Sequence, residues 1–109
     1  MLKIYFTDYG EDESLDAKDA RAAGTDEILH TMECVLQRPR NFVGVIDENN
    51  GTLQFMVNSD KTIRVDLPFP EDRGSYVKTA DLDECLELVR SIRDRIKKEE
   101  IHGLKFQQW

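Results

Sequence analysis

The sequence predicts an α+β domain: an antiparallel or mixed sheet of about five strands, two helices packed on one face, order β-α-β-β-β-(β)-α-β. Three observations predict it. Three short runs of alternating apolar residues follow one another between 41 and 67, joined by turn residues. A stripe at helical spacing precedes them, over 26–37. A second helical stripe, with a capping signal, follows from residue 79. The 109 residues contain no internal repeat and suit a single domain, 1–109, around one core.

Residues 2–7, LKIYFT, mix β-branched and aromatic side chains and read as a first strand. Residues 8–24 are acidic and rich in small side chains. SLDAKDARAAG is compatible with a helical turn or two ending at Gly24. In the helix over 26–37, Ile28, Leu29, Met32, Val35 and Leu36 share a face, and Asp26 and Glu27 suit the positive end of its dipole. Pro39 closes it by disfavouring helical geometry at Arg38.

The runs NFVGVID, TLQFMVN and TIRVDL are strands. Asn50-Gly51 marks the first hairpin, since both residues accept positive φ, and SDK makes the second turn. Leu53, Phe55 and Val57 share one face with Ile63, Val65 and Leu67; Gln54, Met56, Arg64 and Asp66 point the other way. One sheet face is therefore apolar and the other mixed. Pro68 and Pro70 stop the third strand near Leu67, Phe69 anchors the loop, and Gly74 reverses the chain. Residues 76–78 read as a short strand. In TADLDECLELVRSIRDRIKKEE, Asp81 caps a helix whose buried stripe is Leu82, Cys85, Leu86, Val89, Ile92 and Ile96. Gly103 terminates it, and LKFQQW is a last strand.

The net charge of −7 argues against nucleic acid and against anionic membranes as partners. No apolar run approaches the roughly 18 residues of a membrane span, and the start, MLKIYFTDYG, lacks a signal-peptide pattern. A cytoplasmic chain is expected. The charge is local: over 8–27, eight acids face only Lys18 and Arg21. Such a patch is either a solvated loop or an electrostatic lure for a basic protein. Cys34 and Cys85 both read as reduced, buried small hydrophobes.

No cofactor, metal or catalytic constellation is expected. His30 and His102 lack convergent ligand partners. Counted from Asp47, a calcium loop would need glycine and an acid where Thr52 and Asn58 stand. EDRGSY has no phosphate-loop spacing. Asp66, Glu71 and Asp72 are the only carboxylates that suggest a small hydrolytic site, as a third reading. Candidate partner-contact residues are the acids Asp12, Glu13 and Asp16, and Glu71, Asp72, Arg73 and Tyr76 on the proline-stiffened loop.

The succession DEILHTMECVLQ, FVGVIDENNGTLQFMV, IRVDLPFPEDRGSYV, ADLDECLELVRSI and LKFQQW resembles the layout of small acidic bacterial immunity proteins of polymorphic and contact-dependent toxin systems. That resemblance implies non-catalytic neutralisation of a cognate toxin, such as a basic nuclease, by direct binding. The alternative is a generic interaction or regulatory subunit, homodimeric through the outer sheet face or an edge strand.

Overall fold

A computed structural model describes residues 1–109. The elements are β1 (Lys3–Asp8), β2 (Glu13–Leu15), β3 (Arg21–Ala22), α1 (Thr25–Val35), β4 (Phe42–Ile46), β5 (Thr52–Val57), β6 (Ile63–Phe69), β7 (Gly74–Ala80), α2 (Leu82–Ser91) and β8 (Lys105–Gln108). All eight strands join one antiparallel sheet ordered β2-β1-β4-β5-β6-β7-β8, with β3 also pairing β1. No helix is long and apolar enough to cross a membrane.

The expected α+β class and its two helices are found, but the sheet has eight strands rather than about five. The difference lies mostly in residues 8–24. They form not a helix but a hairpin into β2, one 3₁₀ turn at Ala17–Asp19, and β3. A buried polar knot starts this path. The Asp8 carboxylate accepts from the backbone N–H of Gly10 and Glu11 and from the Asn41 amide at 2.9 Å. Asn41, only 1% exposed, also donates to Val35 O at 2.8 Å and accepts from Tyr9 N–H at 2.9 Å. One amide thus closes the end of α1 and pins the β1–β2 turn, because leaving those buried groups unpaired would be costly.

Alternation decides the core. Ile4, Val43, Val45, Leu53, Phe55, Ile63 and Val65 are fully or almost fully buried on the inner face. They meet Ile28, Leu29, Met32 and Val35 of α1, and Cys85, Leu86 and Val89 of α2, in one cluster. Cys34 is a correction: it is exposed, lying off the α1 stripe with its sulfur 3.6 Å from His30 Nε2. Cys85 is buried as expected.

The β4–β5 hairpin forms where Asn50-Gly51 places it, yet only Asn50 has positive φ (65°). The Asp47 carboxylate completes the turn, accepting from Asn49 and Gly51 N–H at 2.9 and 2.8 Å. Strand β6 also runs past its expected stop: Pro68 pairs with Ser75 and Phe69 with Gly74. The β5 ladder ends earlier, at Gln54–Asp66, so a missing donor on that side breaks no ladder bond.

The second helix is shorter than its pattern. Asp81 caps it as expected, accepting Glu84 N–H at 2.8 Å, but Ile92 is already extended. Ten helical residues span about 15 Å, whereas continuing to Lys98 would reach about 25 Å and overrun strands of roughly 20 Å. The chain instead folds back, with Ile96 N–H donating to Asp47 Oδ2 at 2.8 Å and Ile92, Ile96 and Ile101 packing against the core.

Replacing Asn41 with Ala should remove about 2–3 kcal/mol of stability, since the Tyr9 N–H loses its partner and Val35 O and the Asp8 carboxylate each lose one of theirs. Urea unfolding would measure it; a loss below about 0.5 kcal/mol would show that the knot is not structurally important.

Candidate functional site

The acidic residues 12, 13 and 16 lie along the β2 edge. Asp12 sits in the β1–β2 turn with φ 52°, Glu13 opens β2 and pairs with Asp8, and Asp16 precedes the 3₁₀ turn; all three are exposed. The other candidate group is remote. Glu71 and Asp72 lie in a 3₁₀ turn between β6 and β7, and Arg73 follows in the left-handed region at φ 53°. Thr7 pairs Phe42, Phe42 pairs Met56 and Met56 pairs Arg64, so the end of β1 lies beside the start of β6. The 70–73 turn therefore projects from the opposite end of the sheet. Four strand spacings, about 19 Å, add to that separation across the sheet. The structure brings together Asp12, Glu13 and Asp16, and separately Glu71, Asp72 and Arg73, but not the two groups.

Tyr76 belongs to neither surface. It lies in β7 on the inner face, half-buried, between Phe69 (5.4 Å, interplanar 82°) and Phe106 (5.3 Å, 62°). The Lys98 ammonium sits 4.3 Å from the Tyr76 ring centre and donates to its hydroxyl at 3.0 Å. That hydrogen bond holds the Lys98 pKa above its ordinary value. The group covers inner-face surface that α2 does not reach. Beside it, a depression of about 430 Å³ is lined by Glu71, Arg95, Lys97, Lys98 and Glu99, whose charges largely compensate.

The uncovered outer face has a different character. Tyr5 pairs with Gly44, and Gly44 with Gln54. With no side chain at 44, the Tyr5 ring lies across β4 and its hydroxyl donates to Gln54 Oε1 at 2.7 Å. A Cβ at Gly44 would fall 1.9 Å from Tyr5 Cζ. Gln54 in turn pairs with Asp66. Burial first, and the Asp66 charge second, push the Tyr5 hydroxyl pKa up. Trp109, 67% exposed, is tethered here by its indole N–H, which donates to Ser75 Oγ at 2.9 Å, and by its backbone N–H to Arg73 O at 2.8 Å. Tyr5, Gln54, Asp66, Pro68, Ser75 and Trp109 line a shallow cavity of about 240 Å³. Asp66 was singled out in the sequence for its charge alone. Nothing local in the sequence joins Tyr5 and Trp109 to it, because only strand pairing places them beside it.

The sheet has a second edge at β8, which pairs with β7 alone. All four of its residues are exposed, and Phe106 is 47% exposed.

No family model matches the chain, and no curated protein or solved structure matches it.

Gly44→Ala should cost about 1–3 kcal/mol, because the new methyl overlaps the Tyr5 ring and must displace it. A thermal melt together with Tyr5 ring chemical shifts would check this; an unshifted ring would refute the packing argument. The two cysteines should differ in reactivity. Burial first, then Glu84 and Asp81, push the Cys85 thiol up from 9.0 to about 12, while Cys34 is exposed. Native protein should titrate one thiol rapidly with an aromatic disulfide reagent and the second only after unfolding. Since the folded thiol holds its proton more tightly than the unfolded one, its contribution to stability is complete below about pH 9. It is lost as pH rises toward about 12, so the urea midpoint should fall across that window.

Proposed function

We propose that this chain is a non-catalytic binding protein whose partner is a basic protein domain. In the form implied by its layout, it is an immunity protein that neutralises a cognate toxin by direct contact. One observation carries the reading: the acidic segment is held as an ordered edge rather than left as a loose tail. The Asp8–Asn41 knot fixes its start and the β1–β3 pairing fixes its end. Glu11, Asp12, Glu13, Asp16 and Asp19 stay exposed between these anchors. Acids on a fixed edge lose little conformational freedom on binding and steer a cationic partner toward one side of the sheet.

Two tests apply. Co-expression with the product of the gene beside its own should rescue growth if that product is the toxin; unchanged toxicity would remove the immunity reading. The Asp12→Asn, Glu13→Gln, Asp16→Asn variant should slow association with a basic partner about ten-fold at low salt, with dissociation little changed. Stopped-flow measurements at two ionic strengths would check it, and equal rates would separate the edge from binding.

The free β8 edge favours a second reading, a homodimer through an extended sheet. Unpaired backbone groups there can accept another strand, and residues 101–109 contain no acidic side chain to repel a second copy. Light scattering decides it: a strict monomer at high concentration ends this reading.

A further inference from the structure

We propose that β8 pairs with the β8 of a second copy, antiparallel and with the two-fold axis at Phe106, so that two sheets join into one. This rests on the homodimer reading above and narrows it from an edge to a register. The two edges of the sheet differ in charge. Asp12, Glu13 and Asp16 lie along the β2 edge and would face like charges in a second copy. Residues 101–109 hold one lysine and no acid, in a chain of net charge −7. The phase of the β7–β8 ladder shows which backbone groups are free. Trp109 N–H donates to Arg73 O at 2.8 Å, and the same register sets Gly74 against Gln108 and Tyr76 against Phe106. Bonded and non-bonded pairs alternate along an antiparallel ladder. Lys105 and Gln107 therefore share the phase of Trp109 and bond to β7. Phe106 and Gln108 turn their N–H and C=O groups to the open side, where β8 has no neighbouring strand.

Side chains select the register. An axis at Lys105 would oppose two ammoniums. One at Leu104 would draw in Gly103, whose φ of 87° is not extended. One at Gln107 leaves Phe106 opposite an amide. An axis at Phe106 sets that ring against its own copy, Lys105 against Gln107 and Leu104 against Gln108. Phe106 packs on Tyr76 at 5.3 Å yet stays 47% exposed, so this register covers apolar surface that the fold leaves open. The two Lys105 fall on the diagonal, about 7–8 Å apart and in water. Each Lys98 ammonium stays 4.3 Å from its own Tyr76 ring centre. The two are then three strand spacings apart, about 14 Å, which exceeds the screening length at physiological salt. The acidic β2 edges come to lie at the two far ends of the joined sheet, so one dimer presents two of them.

Sedimentation equilibrium of the full chain under reducing conditions should give a reversible monomer–dimer equilibrium. On concentrating, the Phe106 and Gln108 amides should exchange more slowly, while Gln107, already bonded to β7, should change little. Gln108→Pro removes an outward N–H and no bond to β7, so it should leave a folded monomer. Gln107→Glu tests the register. Its carboxylate keeps the acceptor that Arg64 meets at 2.8 Å. With the axis at Phe106 it stands opposite Lys105 in both halves of the interface, and dimer affinity should rise about three- to five-fold at low salt. With the axis at Gln107 two carboxylates would oppose each other and affinity would fall. Unchanged or weaker association of Gln107→Glu therefore overturns the register and leaves the homodimer standing. A chain that stays monomeric when concentrated overturns both. A folded Gln108→Pro variant that still dimerises overturns the inference by moving the dimer to another surface. If that variant does not fold, amide exchange of the unaltered chain decides alone, and a dimer with unchanged Phe106 exchange overturns the proposal. Binding of a basic protein at the β2 edge is measured separately and stands or falls on its own.

Discussion

Two short helices have to cover one face of an eight-stranded sheet, and the rest of the structure follows from that shortage. Helices of 11 and 10 residues place their apolar stripes over β1, β4, β5 and β6, where the inner face is fully buried. Beyond β6 the cover comes from elsewhere. The segment after α2 folds back, packing Ile96 and Ile101 against the core and laying the Lys98 side chain over Tyr76 of β7. Period-two alternation makes this non-negotiable, because a strand shifted by one residue would expose its whole apolar set.

Buried polar groups hold the sheet at its two ends. At one end, the Asn41 amide and Asp8 carboxylate tie the end of α1 to the β1–β2 turn. At the other, the Asp47 carboxylate joins the β4–β5 hairpin to the segment after α2 through three backbone N–H groups. Both carboxylates are buried and both are used to satisfy backbone, which separates them from the exposed acids of residues 11–19. The acids of the chain thus include two that organise turns, Asp8 and Asp47, and a group over residues 11–19 that lies along an outward-facing edge.

The uncovered outer face is the other consequence. Having no helix over it, it can afford Gly44, and the absent side chain lets Tyr5 cross to Gln54. The same row then brings Asp66 next to them, and the C-terminal residue Trp109 closes the far side through Ser75.

Much of this was legible in order along the chain. The runs at β1, β4, β5, β6 and β8, the stripe of α1 and the Asp81 cap of α2 all appear as local period, turn or capping signals, because those depend on neighbours a few residues apart. What only the tertiary structure decided depends on partners distant in sequence. Strands β2 and β3 are too short to show a period and exist because β1 offers an edge. Helix α2 stops at Ser91 because the sheet ends, although its apolar stripe continues through Ile92 and Ile96. Cys34 faces solvent because α1 buries a narrower stripe than its composition implies. The acidic candidates Asp12, Glu13 and Asp16 were visible as charge, but their separation from Glu71, Asp72 and Arg73 was set by strand order. Tyr76 faces inward because it stands opposite Leu67 in the β6–β7 ladder rather than on the loop. The cavity around Asp66 was not readable at all, since Tyr5, Asp66 and Trp109 are far apart in the chain and meet only through the register of five strands.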